Sequence, residues 1–524
     1  MPSHESTGAA IQLRPEDNVA VAARRLSKGT PVGLNGRAVE AAETINQGHK
    51  LALAHIKRGE PIRKYGQVIG FASADIAPGG WVHVHNVAVE KFERDYAFCS
   101  ECPPDPKAAE PRFFMGYERP GGRVGTRNYI ALVSTVNCSA STCRAVAERF
   151  RGDALRDFPN VDGVFAITHK GGCGMQYGGE DHEQLDRTLA GFAKHANVAA
   201  YILVGLGCET GQASHVVEGQ DLVQILLPGQ RPASGDGAKR RPPIVTIQEC
   251  GGIPKTVEVV TRMVREMLPA VNDVRRTKQP ASKIILGTNC GGSDGNSGIT
   301  ANPALGIASD MIVAQDGSSI LAETTEVYGA EHLLTRRAKT REIGQKLVDR
   351  IKWWEWYTSI FGADINNNPS VGNKEGGLTT IYEKSLGAVA KGGSAPLSAV
   401  LRYAEQVSVP GFVFMDTPGL DNVSVTGIVA GGANVVVFTT GRGSCFGCKP
   451  TPSIKVATNT PMYKHMIDDM DMNAGDVLEG VSLEQKGREI FDKILAVASG
   501  EKTKSELHGV GEEEFAPWPI GPTL

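Results

Sequence analysis

The sequence KIILGTNCGGSDGNSGITANP, residues 283–303, decides the fold class of this chain. It starts with a short apolar run, passes through a loop rich in glycine and hydrogen-bonding side chains, and leads into a helix that we predict to begin near Pro303. A buried strand, a glycine-rich turn and a helix form the repeating unit of parallel α/β sheets. The stretch therefore predicts a sheet whose strands end in polar loops, where ligands bind in open α/β folds.

The same unit recurs from residue 113 onward. Short apolar runs alternate with glycine-rich loops and amphipathic stretches, which is typical of parallel α/β sheets. We predict a domain boundary between Val271 and Ser282, and hence an α/β middle domain over residues 113–280 and an α/β C-terminal domain over residues 281–524. Further predicted strands are Tyr129–Val136, Val161–Thr168, Ala200–Leu206, Met311–Ala314, Gly411–Met415 and Asn434–Thr439.

The first 94 residues carry a different pattern. Short strand-like runs are divided by frequent Gly and Pro with little helical periodicity, which predicts a small all-β module over residues 1–94. The Pro-rich, charged residues 95–112 are predicted to be an extended linker. Cys99 and Cys102 in this linker have the spacing of half a zinc site, but the only similar pair lies far along the chain, so zinc is disfavoured.

Composition narrows the range of functions. A chain of 524 residues exceeds one ordinary core, and a net charge of -3 offers no global attraction for nucleic acid. The sequence has no apolar stretch of about 18 residues and no secretory signal pattern, so we expect a cytoplasmic protein without membrane contact. The 10 cysteines are then interpreted as thiols rather than as a disulfide framework.

Reactive side chains gather where a predicted strand of the middle domain ends. The loop after Val161–Thr168 carries an imidazole, an ammonium group and a thiol on His169, Lys170 and Cys173. Such a set can supply a general base, a cation for a substrate carboxylate or a metal ligand. The competing interpretation is that His169 is a hydrogen-bonded structural residue.

The C-terminal domain offers carboxylates at neighbouring strand ends. Asp294 lies in the polar loop of residues 283–303, and Glu323 and Glu326 follow a later strand-like run. Together they would form an oxygen-rich site for Mg²⁺, Mn²⁺ or Fe(II). The alternative for the Glu pair is a helix N-terminus, where negative charge is favourable.

Groups that suit a polyol with a carboxylate are concentrated in the same domain. Ser293 and Asn302 lie in the first polar loop, Asn373 and Lys374 lie in a second, and Arg442 follows a valine-rich strand. Guanidinium groups pair with carboxylates through two parallel hydrogen bonds. None of these loops has a nucleotide-binding pattern, so nucleotide binding is disfavoured.

A series of polar and glycine-rich motifs runs along the chain. They are QGHK at 47–50, KYG at 64–66, HVHN at 83–86, HKGGC at 169–173, GLGCE at 205–209, CGGSD at 290–294, GITANP at 298–303, NPSVGNKEGG at 368–377 and TGRG at 440–443. In this order the motifs resemble those of the altronate and galactarate dehydratases, and the resemblance covers nearly the whole chain. The loop SCFGC at 444–448 departs from it, because that family carries Thr-Pro-Tyr-Gly there, and this puts the preferred sugar acid in question. His83 and His85 are nearer to the altronate type.

The resemblance implies an N-terminal β-clip module, a linker, a middle domain that forms a homodimer, and a Rossmann-like C-terminal sheet that carries a metal. It implies a hydro-lyase that dehydrates a sugar acid to a 2-keto-3-deoxy acid with Fe(II) or Mn(II). Combined with the residues above, it leads us to predict the metal at Asp294, Glu323 and Glu326. His169 or Lys170 is the predicted base, with Cys173 beside them.

The remaining site predictions concern substrate and closure. Asn373, Lys374, Arg442, Ser293 and Asn302 are predicted to orient the substrate. His49 of the β-clip module is predicted to close over the site as a lid residue.

Three alternatives stay open. An iron–sulfur cluster held by Cys138, Cys173 and Cys208 is physically possible but lacks the compact cysteine spacing of ferredoxins. The same enolisation chemistry would allow a lyase that expels sulfite from a sulfonated hydroxy acid. A sugar-acid sensor would need the polar loops but no base or metal.

Overall fold

The computed structural model describes residues 5–6, 8–34, 37–90, 96–225 and 241–521. In these residues a small all-β N-terminal domain precedes two α/β domains, so the predicted fold class is confirmed. No described helix is both long and apolar enough to cross a membrane.

The N-terminal domain is built from short antiparallel strands. These are β1 (Glu5–Ser6), β2 (Ala10–Gln12), β3 (Val19–Ala22), β4 (Pro31–Leu34), β5 (Arg37–Glu40), β6 (Lys50–Ala52), β7 (Pro61–Lys64), β8 (Gln67–Ala72), β9 (Trp81–Val82) and β10 (Val87–Ala88). A five-stranded sheet has the order β1-β2-β3-β6-β9, a three-stranded sheet has the order β10-β8-β7, and β4 pairs with β5. Buried aliphatic side chains fill the space between them.

The predicted linker follows the surface of the C-terminal domain. Backbone N–H groups of Cys99, Glu101 and Ala108 donate to carbonyls of that domain, so this stretch is anchored at intervals. Residues 91–95 at its start lie outside the described residues. Cys99 and Cys102 belong to no metal-binding group among the described residues.

The middle domain contains a four-stranded parallel sheet and a three-stranded antiparallel sheet. The strands of the domain are β11 (Phe113–Glu118), β12 (Val124–Gly125), β13 (Tyr129–Ser134), β14 (Gly163–Ile167), β15 (Val198–Gly205), β16 (Ile244–Thr246) and β17 (Arg276–Pro280). Its helices are α1 (Asn137–Glu148), α2 (Glu180–Ala193), α3 (Ala213–Gly219), α4 (Ile247–Cys250) and α5 (Ile253–Asp273). The parallel sheet has the order β14-β13-β15-β16, while β12, β11 and β17 form a separate antiparallel sheet that brings both ends of the domain together.

The C-terminal domain has a seven-stranded sheet in which every pair is parallel. Its strands are β18 (Ile285–Cys290), β19 (Ser318–Leu321), β20 (Leu397–Leu401), β21 (Gly411–Met415), β22 (Val435–Thr440), β23 (Ser453–Ala457) and β24 (Met472–Asn473). Its helices are α6 (Ala301–Ala314), α7 (Glu331–Arg336), α8 (Arg341–Ile360), α9 (Val371–Glu375), α10 (Ile381–Ala388), α11 (Asp421–Ala430), α12 (Thr460–His465), α13 (Leu483–Ala498) and α14 (Lys504–Leu507). The order is β20-β21-β19-β18-β22-β23-β24, with β18 near the centre.

One predicted strand is wrong. Met311–Ala314 is the last turn of α6, which packs against α13 and the sheet. Most of the side chains of α6 are buried, so its sequence is apolar on nearly every face. A short apolar run of this kind has the same signature in a buried helix as in a buried strand.

A buried ion triad attaches the N-terminal domain to the C-terminal domain. Lys50 Nζ lies 2.9 Å from both carboxylate oxygens of Glu383, and Lys64 Nζ lies 2.9 Å from its Oε1. All three side chains are almost completely excluded from solvent. Burial alone would raise the pKa of Glu383, but the two ammonium groups hold it well below its usual range. The domain contact therefore depends on mutual compensation of buried charges.

Removing the carboxylate of this triad should weaken the folded chain strongly. In Glu383→Gln two ammonium groups stay buried without their counter-ion, and breaking a buried ion pair in this way costs about 3–5 kcal/mol. We expect a corresponding fall in the free energy of unfolding by urea. The control Asp492→Asn removes the partner of Arg112 in an exposed pair and should cost less than about 1 kcal/mol. An equally small loss of unfolding free energy in both variants would contradict the role of the ion triad in attaching the N-terminal domain.

Candidate active site

The most heavily charged buried site lies at the carboxyl edge of the C-terminal sheet. Cys290 is the last residue of β18, and Glu323 and Glu326 follow the neighbouring strand β19. Because β18 and β19 are parallel, their carboxyl ends meet at one edge. Glu323 has φ 66°, a left-handed conformation that a non-glycine residue seldom adopts. Backbone strain of this kind clusters at functional sites.

Three potential metal ligands converge there. One ligand atom from each of Cys290, Glu323 and Glu326 lies within 4.8 Å of the others, and all three residues are buried. The Sγ atom of Cys290 is 3.8 Å from Glu323 Oε2 and 3.7 Å from Glu326 Oε2. A thiolate and two carboxylates form a mixed sulfur and oxygen donor set.

Two lysines neutralise part of this charge. Lys391 Nζ lies 2.7 Å from Cys290 Sγ and also donates to Glu323. Lys384 Nζ lies 2.7 Å from Glu326 Oε1. Burial lowers the pKa of Lys391, but the nearby thiol and carboxylates outweigh it and raise the pKa above its usual range. Both lysines are therefore held as cations.

A further carboxyl group stands beside this set. Asp421 begins α11, and its Oδ1 accepts a hydrogen bond of 3.0 Å from Asn289 Nδ2. Burial, reinforced by the charge of Glu326, raises the pKa of Asp421 to about 7. Burial also raises the pKa of Glu323 to about 8, although Lys391 opposes the shift. We call the residues Cys290, Glu323, Glu326, Lys384, Lys391 and Asp421 the Cys290 cluster.

The charges of the Cys290 cluster match a divalent cation. With the thiol and all three carboxyl groups ionised, the cluster carries four negative charges against two positive charges from its lysines. The difference of two equals the charge of one divalent ion. Without such an ion, burial and the charge of Glu323 raise the pKa of the Cys290 thiol to about 12. The donors and their charge therefore fit a bound divalent metal.

Asp294 does not join the two glutamates. Its Oδ1 accepts from Thr458 Oγ1 at 2.9 Å and from Ser297 Oγ at 3.0 Å, and its Oδ2 accepts from Asn459 Nδ2 at 3.2 Å. These hydrogen bonds occupy the carboxylate in organising the loop of residues 290–303. Cys290 takes the place beside Glu323 and Glu326 that the sequence pattern predicts for Asp294.

The predicted substrate residues separate into two groups. Asn302 is occupied inside the fold, because it accepts from Thr439 Oγ1 at 2.6 Å and donates to Gly387 O at 3.0 Å. Asn373 Nδ2 donates to Ser293 O at 2.8 Å, which joins two of the polar loops. The hydroxyl of Ser293 is buried and has no hydrogen-bond partner among the described residues.

The remaining predicted substrate residues are more accessible. Arg442 is half exposed, and its Nη2 is 3.5 Å from Glu375 Oε2. Lys374 is half-buried. Their charges are therefore free to meet an anion near the polar loops of the C-terminal domain.

The N-terminal domain covers these loops. His49 Nδ1 accepts a hydrogen bond from Trp81 Nε1 at 3.2 Å, so its Nε2–H is the group that meets Glu375 O at 3.0 Å. The domains approach so closely that a Cβ atom on Gly295 would lie 1.9 Å from Gly48 O. His49 therefore lies at the contact between the N-terminal domain and the polar loops with both of its ring nitrogens engaged, and its role as a lid residue stays a prediction.

The predicted base His169 is a structural side chain in this conformation. Its Nε2 lies 2.9 Å from Ser134 O, and its Nδ1 accepts from Gly171 N at 3.2 Å. Burial lowers its pKa to about 4. The neighbouring Lys170 and Cys173 are exposed at the carboxyl edge of the middle sheet, a different sheet from that of the Cys290 cluster.

Sequence reasoning missed several members of the Cys290 cluster. Cys290 and Lys384 stand in or beside polar motifs of the sequence, but the pattern assigns neither a role. Lys391 and Asp421 have no signal, because a single charged residue in an apolar helical region is not distinctive before its partners are known. Their proximity to Cys290, Glu323 and Glu326 becomes visible only in the folded sheet.

Comparisons with known proteins agree with this architecture. Three family models match in order: the altronate/galactarate dehydratase SAF domain at residues 8–90, the D-galactarate dehydratase/altronate hydrolase second domain at residues 116–272, and the D-galactarate/altronate dehydratase C-terminal domain at residues 281–523. The three matches follow the same order as the three domains of the structure.

Individual relatives extend over the same length. The chain is 35% identical to an altronate dehydratase of Bacillus subtilis, over 98% of this chain and 99% of that protein. It is 35% identical to an L-threo-forming galactarate dehydratase of Escherichia coli, over 97% of each. It is 31% identical to a (2R)-sulfolactate sulfo-lyase subunit beta of Chromohalobacter salexigens, over 77% of this chain and 96% of that protein.

The resemblance seen in the motifs is thereby confirmed. Full-length similarity, matching domain models and a charged site at the carboxyl edge of the C-terminal sheet agree with one another. The chain belongs to the D-galactarate/altronate dehydratase family of hydro-lyases.

Proposed function

We propose that this chain removes water from a sugar acid of the altronate or galactarate type and releases a 2-keto-3-deoxy acid. The Cys290 cluster carries the proposal, because it gathers metal ligands, cations and a carboxyl group of near-neutral pKa at the ligand-binding edge of a parallel sheet. The names of the relatives support the substrate class, since both 35% identical proteins are sugar-acid dehydratases.

The residues that would hold a divalent metal are Cys290, Glu323 and Glu326. Their donor set and the excess negative charge fit Fe(II) or Mn(II). When bound, the ion supplies positive charge that stabilises the negative charge developing on the substrate as the proton beside its carboxylate leaves. Lys391 and Lys384 donate hydrogen bonds to Glu323 and Glu326 and hold these two side chains in position beside the Cys290 thiol.

Asp421 is our candidate for proton transfer. A carboxyl group with a pKa of about 7 is divided between acid and base forms near neutral pH, which suits general acid–base catalysis. In its ionised form it would accept the proton from the carbon beside the carboxylate. Asp421 would then return this proton to the hydroxyl on the next carbon, which leaves as water, and the enol product rearranges to the 2-keto acid.

The substrate carboxylate is assigned to the more accessible cations of the polar loops. Arg442 can form two parallel hydrogen bonds to it, and Lys374 adds a second cation from α9, next in the chain to Glu375, the ion-pair partner of Arg442. The N-terminal domain would exclude water from the substrate site by placing His49 over the polar loops of the C-terminal domain. Because the Cys290 cluster is buried, substrate entry requires these covering loops to move.

The group His169, Lys170 and Cys173 of the middle domain is a weaker candidate for the reacting site. His169 has no uncommitted ring nitrogen, while Lys170 and Cys173 are exposed on another sheet. An iron–sulfur cluster on Cys138, Cys173 and Cys208 and a homodimer through the middle domain both stay predictions. The sulfo-lyase relative keeps expulsion of sulfite as the second candidate reaction.

Product analysis tests the proposal. Anaerobically purified protein with Fe(II) should convert altronate or galactarate to a 2-keto-3-deoxy acid, detected by mass spectrometry. Glu326→Gln should lower the rate at least about 100-fold, because the loss of a buried electrostatic group in a reacting site is that costly. Glu342→Gln, an exposed carboxyl on α8, should not change the rate. Sulfite from a sulfonated hydroxy acid with no product from any sugar acid would overturn the assignment.

The role of Arg442 predicts a change in KM. Arg442→Gln removes a charged hydrogen-bond donor from the substrate carboxylate, so KM should rise about ten-fold or more while kcat changes less. Arg402→Gln, which removes an exposed guanidinium just after the edge strand β20, serves as the control and should leave KM unchanged. Unaltered KM in Arg442→Gln would remove this residue from substrate binding.

A further inference from the structure

A second group of metal-type ligands lies in the middle domain, apart from the Cys290 cluster. His182 and Asp186 are one helical turn apart on α2, so their side chains point to the same face. His215 comes from the first turn of α3, which packs against α2. One ligand atom from each of the three residues lies within 4.8 Å of the others.

The donor atoms of the three side chains are spaced like ligands around one ion, and one hydrogen bond joins two of them. His215 Nδ1 is 3.0 Å from Asp186 Oδ2, and His182 Nε2 is 3.9 Å from the same oxygen. The two imidazole rings are 5.0 Å apart between centroids. The nitrogen of His182 therefore faces the carboxylate at a distance too long for a hydrogen bond.

Two polar atoms of this group have no partner. His182 Nε2 and Asp186 Oδ1 are buried and make no hydrogen bond to any described residue. The His182 side chain has 0% exposure and that of Asp186 has 4%. Buried polar atoms in folded proteins are nearly always satisfied, and a site for a bound ion is one of the established reasons for an exception.

We propose that His182, Asp186 and His215 bind a divalent transition-metal ion in the middle domain. Two imidazoles and one carboxylate are the ligand set of many zinc sites and of non-haem Fe(II) sites. Binding would use the His182 nitrogen and the Asp186 carboxylate, and would join α2 to α3. The nitrogen-rich set differs from the thiolate and carboxylates of the Cys290 cluster, so the two sites differ in metal preference.

An ion can reach this group from solvent, and the ring proton of His182 can move between its two nitrogens. His215 is 35% exposed, and the exposed ring of Tyr177 lies over both imidazoles at 5.3 and 5.0 Å. Gly178 N–H donates to His182 Nδ1 at 3.3 Å, which places the ring proton on Nε2 in the ion-free state. Ion binding through Nε2 transfers that proton to Nδ1 and releases the long contact with Gly178.

The experiment separates the two metal sites by mutation. Full-length Glu326→Gln, in which the Cys290 cluster has lost a ligand, is stripped with a chelator and dialysed against Zn²⁺ or, anaerobically, against Fe(II). We expect one tightly held ion per chain, measured by elemental analysis. Adding His215→Gln or Asp186→Asn should lower the affinity at least about 100-fold, the upper end of the loss seen for residues that only support ligands.

Controls keep the outcome interpretable. His55→Gln removes an exposed imidazole in the N-terminal domain and should leave binding intact. Zn²⁺ should raise the thermal midpoint of Glu326→Gln but not that of Glu326→Gln with His215→Gln, because ligand binding stabilises only a chain that binds it. Equal metal affinity with and without His215, or no bound ion in Glu326→Gln, would overturn the proposal and leave only the hydrogen bond between His215 and Asp186.

Discussion

The parallel alignment of β18, β19 and β21 is the constraint on which the site depends. Each strand ends at the same edge of the sheet, so residues from the loops that follow them meet although they are far apart in sequence. Cys290, Glu323 and Asp421 come together in this way. A parallel sheet buried on both faces also supplies the low-dielectric surroundings in which their charges interact strongly.

Compensation of buried charge is the second theme of the structure. In the Lys50–Glu383–Lys64 triad one carboxylate holds two ammonium groups, and this contact attaches the N-terminal domain. The Cys290 cluster instead gathers one thiol and three carboxyl groups around two lysines. The triad joins two domains and offers no free donor atom, whereas the cluster has more acidic groups than cations, which is the basis on which we propose it as the metal site.

Much of this architecture was predictable from the sequence. The all-β module and the alternation of strands and glycine-rich loops followed from turn signals and apolar periodicity, and the structure brings the side chains of Glu323 and Glu326 close together. The prediction for Asp294 could not be refined, because its hydrogen bonds to Thr458 and Asn459 join residues distant in sequence. Tertiary partners likewise determine that His169 is held by Ser134 O.

The central claim is that the family chemistry takes place at the Cys290 cluster. The most direct test is a crystal structure of active protein grown anaerobically with Fe(II), with anomalous diffraction recorded at the iron edge. We predict an iron peak bounded by Cys290 Sγ and the carboxylates of Glu323 and Glu326. Active, iron-dependent protein whose crystals show no peak at these three residues would contradict the account.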